Sequence, residues 1–493
     1  MDVAQEIETA LQSLLAAGPA EVHEDGQPIA GLAGLQFEVR RQGQNIFLHL
    51  WSEERNLARR VVRITEKGPQ QLVLEVQRFG RAKPATLEIF VAERARPAGR
   101  LAREKFLARF RQLLSEQFPD EEMETLTCAP DLEHSFSGAY VRGVLRRGSR
   151  AWAVMAASPE EDAATVDAIL SYALLWLDWS RESRRVEAVT AGLRLFLPPG
   201  TSALTAHRLQ ALAPKVRVEL YELDAETRRA SRLDSRDTGN LATWLTPRRE
   251  VEQTLTQAAD NIAKVRALAP EAIDAVVPPG TREVALRFRG LEFARWRNGA
   301  LFFGLPDDRR LLTSANESEL SELVSELQTH RRPEPPDANH LLYRTQAERW
   351  LEAMALVEPA RLDARLDPHH IYPQVPAFSA GDRGVMDLLG ITREGRLAVI
   401  ELKVTEDVNL VLQAVDYWLR VCWHQAQNDF QRYGYFGGME IQAKPPLLFL
   451  SAPGLRFHPS ADAILRYLSP RIEIQRVGLN ENWRGGIQVI FRQ

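Results

Sequence analysis

Only two of the 493 residues are cysteine, Cys128 and Cys422, and they form no CxxC. That excludes a zinc ribbon or a four-cysteine iron–sulfur cluster built within this chain, and it suits a reducing compartment, so a cytoplasmic location is expected. No apolar run approaches the ~18 residues that a membrane-crossing helix needs, so no membrane partner is expected. The opening MDVAQEIETALQSLL is acidic and amphipathic, which is not the pattern of a signal peptide. Neither sign of charge dominates: 62 Lys and Arg stand against 66 Asp and Glu, for a net charge of −4. A nucleic-acid partner would therefore have to meet a local face rather than the whole surface. There is no Walker A motif or helicase signature, so a motor that delivers substrate would be a separate protein.

What is present is ordinary in bulk, with 45% hydrophobic and 26% charged residues, and long enough for two to four domains. The organisation is less ordinary, because the chain reads as one unit written twice. GLQFEVRRQGQNIF (34–47) matches GLEFARWRNGALFF (290–303). REKFL (103–107) falls on ERWL (348–351), LFLPPG (195–200) on LFLSAPG (448–454), and LAPKVRV (212–218) on LSPRIEI (468–474). The matches are collinear, which implies a tandem duplication of roughly 1–245 and 246–493. Each half opens with a small α+β leading domain, a helix followed by short alternating strands such as QLVLEVQRF and ATLEIFVA. In the second half, Thr246 and Pro247 read as an N-cap and first helical position. Arg/Pro spacers, RARPAGR (94–100) and RRPEPPDANH (331–340), separate the leading domains from larger α/β domains, whose alternating strands and helices imply a mixed central sheet. The expected domains are 1–95, 96–245, 246–335 and 336–493.

The stretch GVMDLLGITREGRLAVIELKVTEDVNLVLQAVDYW (384–418) concentrates the chemistry. RLAVIELKV reads as a central strand covered on both faces, yet it carries Glu401 and Lys403 on one face. Burying that pair costs desolvation free energy. A hairpin at REGR can bring Asp387 beside Glu401, and two adjacent carboxylates repel unless a cation lies between them. An oxygen-only donor set favours Mg²⁺ or Mn²⁺ over zinc.

Asp387, a turn, then Glu401-x-Lys403 resembles the signature of the PD-(D/E)XK nuclease superfamily, over about residues 344–450. Gln413 and Tyr417, four apart on the next helix, resemble the Gln-x-x-x-Tyr of its RecB-like branch. Met386 stands where the family's proline would precede Asp387. The resemblance implies a restriction-endonuclease-like α/β domain, with Mg²⁺ or Mn²⁺ held by Asp387, Glu401 and the backbone carbonyl of Leu402. It implies that Lys403 positions the attacking water and that Gln413 and Tyr417 steady the substrate or the lysine. A glutamate of the preceding helix, with Glu348 as the best match and Glu352 one turn later as its competitor, would bind a second metal or act through a bound water. The expected reaction is hydrolysis of phosphodiester bonds, with DNA foremost as substrate. Two rivals are a non-catalytic nucleic-acid-binding or assembly protein on nuclease folds, and a nuclease subunit of a larger helicase or defence complex. His369 and His370 are read as loop residues preceding the first strand of this domain. FQRYGYFGG (430–438) is read as a packed aromatic turn, with base stacking as its functional alternative.

The first half repeats this stretch in shape at 141–176. An ungapped alignment through Val154 and Met155 puts Arg142 over Asp387, Ala156 over Glu401, Ser158 over Lys403, Ala168 over Gln413 and Tyr172 over Tyr417. None of the first three can replace a metal-binding carboxylate or the lysine, so this copy reads as a catalytically dead fold. Its arginines, with Arg142, Arg146, Arg147 and Arg150 as candidates, would grip a phosphate backbone. Arg94, Arg96, Arg100, Arg103, Lys105, Arg109, Arg111, Arg228, Arg229, Arg232 and Arg236 extend that basic character. The tandem pair would form a pseudo-dimer within one chain, as a monomer or a homo-oligomer.

Overall fold

The computed structural model describes residues 3–17, 20–24, 27–28, 36–42, 45–51, 56–68, 71–77, 84–91, 96–131, 133–183, 188–224, 229–235, 245–305, 309–376 and 385–493. These form a mixed α/β protein with sheets of seven, six, five and six strands. They gather into two compact units, 1–99 with 250–353 and 100–249 with 354–493. Two unit edges fall close to the expected boundaries at 95/96 and 245/246. The third falls inside the Ala347–Val357 helix rather than at 335/336. Among the described residues no helix is long and apolar enough to cross a membrane.

The first unit contains an antiparallel seven-stranded sheet and the amphipathic Val3–Ala17 helix, whose Ile7, Leu11 and Leu14 are buried in the same core as Leu72, Leu74 and Val76. The twelve-residue strand Asn56–Lys67 is absent from the expected list. Two register irregularities, between Val61 and Arg63 and between Ile64 and Glu66, break the period-two pattern that would have revealed it. In the five-stranded sheet, Gly290 has φ +82°, and a Cβ there would lie 2.0 Å from the Arg349 carbonyl oxygen. Only glycine allows this turn to meet the Ala347–Val357 helix so closely. Arg331 is fully buried and donates to the carbonyls of Phe288 (3.1 Å), Leu342 (2.7 Å) and Thr345 (2.7 Å). The segment read as an extended spacer is thus anchored at its first residue. The other expected spacer is largely helical, since the Arg96–Gln117 helix takes in its last five residues, with Pro97 in the first turn where a missing N–H costs nothing.

The second unit holds two six-stranded sheets. One runs Glu122–Thr127, Tyr140–Arg147, Arg150–Ala157, Val189–Leu197, Val218–Asp224, Arg229–Leu233. The other runs Leu366–Pro376, Val385–Thr392, Leu397–Leu402, Leu447–Pro453, Glu473–Leu479, Val489–Arg492. In both, the first three strands pair antiparallel, the third to fifth parallel, and the fifth and sixth antiparallel. Parallel neighbours need crossovers, and each sheet has a long helix followed by a short one there. These are Ala163–Glu182 and Ser202–Leu209 in the first sheet, Leu410–Ala426 and Ala461–Leu465 in the second. All four helices contribute to one core, including Leu174, Leu177, Ala206, Leu412, Val415 and Ile464.

The two sheets' connections also meet through the backbone. Leu212 and Leu468 form an isolated antiparallel bridge. The Ala213 N–H donates to the Tyr467 carbonyl at 2.9 Å, and the Ser469 N–H donates to the Ala211 carbonyl at 2.8 Å. The following helix begins at Arg248, one residue later than Pro247. The start is set by tertiary hydrogen bonds: Arg248 N–H donates to the Tyr433 carbonyl (2.9 Å) and the Tyr435 hydroxyl to the Thr246 carbonyl (3.0 Å).

Candidate active site

The REGR turn closes as a hairpin. The Gly395 N–H donates to the Thr392 carbonyl at 2.8 Å, and Gly395 takes φ +88°. The ladder runs from Ile391 opposite Leu397 to Leu388 opposite Ile400. One step further it brings Asp387 to Glu401, and the Leu402 N–H donates to Asp387 Oδ2 at 2.9 Å. Strand parity places Glu401 on the face of Leu397 and Val399, which pack into the core that also holds the Leu410–Ala426 helix. The Glu401 side chain is 1% exposed, and Lys403 Nζ lies 3.8 Å from its Oε1. The Lys403 N–H is held by the Ser451 carbonyl at 3.0 Å, which fixes the end of the strand against its parallel neighbour.

The helix supplies the rest. Gln413 Nε2 donates to the Tyr417 hydroxyl oxygen at 3.1 Å. Burial first, then the nearby Glu401 and Asp387 charges, raise the Tyr417 pKa far above its ordinary value. The hydroxyl is therefore protonated, and its proton is available to a carboxylate or phosphate oxygen. Asp387, Glu401, Lys403, Gln413 and Tyr417 thus converge at one end of the second sheet.

The two glutamates of the Ala347–Val357 helix differ. Glu352 is 1% exposed; its carboxylate accepts from Arg287 Nη1 at 2.9 Å and from Arg349. Glu352 is committed within the first unit; Glu348, in the first turn of the same helix, is half-buried in that unit as well. Among the described residues, no group of three or more His, Cys, Asp or Glu side chains is placed to hold a metal ion. The side-chain donors at this site are two carboxylates. Their chemistry fits a hard cation: oxygen donors on adjacent strands, with Lys403 Nζ 3.8 Å from Glu401.

His369 and His370 lie within the edge strand Leu366–Pro376 rather than before it, and both engage Asp367: the His369 N–H donates to its Oδ1 at 2.8 Å, and His370 Nδ1 lies 3.6 Å from its Oδ2. Phe430, Tyr435 and Phe436 are buried; Tyr435 and Phe436 pack against the Tyr372 ring and Phe430 against both of them, so the aromatic turn serves the core.

The first sheet requires a correction. Its ladder pairs Ala156 with Phe196 and with Val141. Matched strand for strand, Phe196 corresponds to Phe449, which pairs with Ile400. Ala156 is then the counterpart of Ile400, and Ala157 that of Glu401. Tyr140, opposite Ala157, takes the place of Asp387, not Arg142, and Pro159 takes that of Lys403, not Ser158. The ungapped alignment fails by one residue, and in a strand one residue reverses the face. The conclusion that the first sheet lacks both carboxylates and the lysine is unchanged.

The arginines divide. Arg142 is 5% exposed, its guanidinium 4.9 Å from the Phe136 ring centroid and 5.7 Å from that of Trp176, with Nη2 donating to the Ala129 carbonyl at 2.7 Å. So buried a guanidinium does not lie along a phosphate backbone. Arg146 pairs with Glu122 (2.8 Å) and Glu124 (2.7 Å), and exposed Arg147 lies 3.3 Å from Asp120. Arg103 pairs with Glu161. Arg150, Lys105, Arg109 and Arg111 are exposed. Arg94, Arg228 and Arg236 lie outside the described residues.

No family model matches the chain, and no curated protein matches it. The site must therefore be read from its own geometry. One part of that geometry escaped the sequence reading: Asp416, beside Tyr417, is buried against Arg208 of the first sheet's Ser202–Leu209 helix. The available signal was a charged aspartate in an otherwise uncharged, largely apolar helical run, LVLQAVDYWL.

Proposed function

We propose that this protein is a metal-dependent nuclease that hydrolyses phosphodiester bonds, with DNA as its foremost substrate. The observation that carries the reading is the convergence of Asp387, Glu401 and Lys403 on one sheet end beneath Gln413 and Tyr417. Buried Glu401 and half-buried Asp387 bring two carboxylates together on adjacent strands, with Lys403 3.8 Å from Glu401, and an oxygen-donor cluster of this kind suits a hard cation. Asp387, Glu401 and the Leu402 carbonyl would hold Mg²⁺ or Mn²⁺, which when bound supplies charge neutralisation at the phosphate and an acidified water.

Lys403 places its ammonium beside Glu401, where it can orient the attacking water or meet charge developing on a phosphate oxygen. Tyr417 donates from a protonated hydroxyl whose oxygen Gln413 already engages.

The same reading takes the two six-stranded sheets as tandem copies of one restriction-endonuclease-like fold, the first without catalytic groups. Identical strand order and crossover helices support it, as does the reciprocal bridge at Leu212 and Leu468. In that bridge each partner plays the same part, as at an isologous two-fold interface. Purified protein incubated with labelled single- and double-stranded DNA and RNA, in Mg²⁺, Mn²⁺ or EDTA, tests the function. Cleavage with either metal and none in EDTA is expected, and no cleavage of any substrate under any condition would refute it.

A further inference from the structure

The Leu410–Ala426 helix presents two polar stripes. Gln413 and Tyr417 form one. Asp416 and Arg420 form the other, and Asp416 meets a guanidinium from the first sheet's side of the unit. Arg208 Nε donates to Asp416 Oδ1 (2.9 Å) and Oδ2 (3.1 Å), and Nη2 donates to Oδ2 (2.7 Å). Nη1 donates to the Asp167 carbonyl, near the start of the Ala163–Glu182 helix. The two side chains are 7% and 4% exposed. Burial alone would lower the Arg208 pKa, and the facing Asp416 carboxylate more than offsets it.

A buried ion pair is a poor source of stability, because apolar side chains of similar volume generally do as well. What the two-pronged guanidinium adds is direction. It fixes the rotation of the helix about its own axis. A rotation of about 20° would move a side-chain atom about 5–6 Å from that axis by about 2 Å. Such a displacement is enough to misplace the Tyr417 hydroxyl.

We propose that Arg208 is a positioning residue for the candidate active site: by holding Asp416 it sets the rotation of the Leu410–Ala426 helix, and so the placement of Gln413 and Tyr417 over Asp387 and Glu401. The half without catalytic carboxylates thereby supplies part of the working geometry of the half that has them. This rests on the nuclease reading above.

The test uses full-length protein with Mn²⁺ and labelled DNA, and compares Arg208→Ala, Arg208→Lys, the apolar pair Arg208→Met with Asp416→Leu, and Tyr417→Phe. Arg208→Ala is expected to lower both Tm and kcat. The apolar pair should regain Tm while kcat stays at least about tenfold down and KM is unchanged. Arg208→Lys keeps the charge and loses the fork, so kcat should fall with most of Tm retained. Tyr417→Phe should add little to the apolar pair, because both act on the same hydroxyl. Wild-type kcat in either the apolar pair or Arg208→Lys would overturn the proposal, as would full additivity with Tyr417→Phe. A wild type that cleaves nothing is a different outcome, since it removes the nuclease reading itself.

Discussion

The two six-stranded sheets share strand order, strand direction and crossover helices, and differ where the second carries its charges. At that place the first sheet has Tyr140 and Ala157, both buried. The Tyr140 hydroxyl donates to the Thr165 carbonyl at 2.6 Å, and its ring lies 5.0 Å from that of Tyr172. Phe136 and Trp176 pack nearby and cover Arg142. Where the second sheet keeps two carboxylates and a lysine, the first has closed the same place with aromatic core. The apolar residues facing both sides of the strands carry the architecture, and three positions at a strand end would carry the proposed chemistry. Those three are the costly ones, which is why a sheet can lack them and still pack well.

The largest effect expected is on cleavage. Asp387→Ala or Lys403→Ala should reduce the rate about 10³-fold or more, the range for removing a group aimed at developing charge. Circular dichroism and Tm should remain near wild type, since neither residue is part of the apolar core. Tyr140→Phe, at the matching place in the first sheet, should leave the rate within about twofold.

Much of this contrast is legible in the sequence. The continuous apolar run of the strand and the REGR turn align Asp387 with Glu401, and helical spacing aligns Gln413 with Tyr417. The first sheet was legible in shape but misread in register. Its path from Ala157 to Tyr172 is one residue shorter than that from Glu401 to Tyr417, and an ungapped comparison cannot see this. Arg142 looked available for phosphate because charge usually means surface, whereas its guanidinium lies against Phe136 and Trp176. The Arg208–Asp416 pair joins residues 208 positions apart, beyond any local pattern.

A second effect concerns pH and the seam between the sheets. Burial, then the Arg420 and Arg208 charges, pull the His207 pKa down to about 3. The unfolded chain, with a histidine near its ordinary 6.5, takes up the proton first as pH falls. The stabilisation is complete above that value and is lost progressively towards pH 3, by up to a few kcal/mol. In denaturant titrations His207→Gln should flatten this acid slope. His424 and His458, also lowered by burial, should keep a residue of it. An unchanged slope would remove His207 from the account.

Metal binding should be read in the second sheet alone. Saturating Mn²⁺ should stabilise the wild type by about 2.7 kcal/mol at a hundredfold excess over Kd. Glu401→Ala should lose most of that rise in Tm, and Tyr140→Phe should keep it. Adding carboxylates to the first sheet, as Tyr140→Asp with Ala157→Glu, should not restore a second rise, because Pro159 stands where the lysine would and the surrounding aromatics leave no aligned shell.

The smallest effect is on affinity. If exposed Arg147 and Arg150 touch backbone phosphates, Arg147→Glu and Arg150→Glu should each lower the log–log salt slope of binding by roughly 0.7–0.9. Cleavage at saturating substrate should be unaffected. An unchanged slope would make them a solvated face only.

The asymmetry between the sheets is tested most directly by one side-by-side measurement: the Mn²⁺-dependent cleavage rate of wild type, Asp387→Ala and Tyr140→Phe on the same labelled substrate. The account predicts metal-dependent cleavage by wild type and Tyr140→Phe and none above background by Asp387→Ala. Full activity in Asp387→Ala would contradict it.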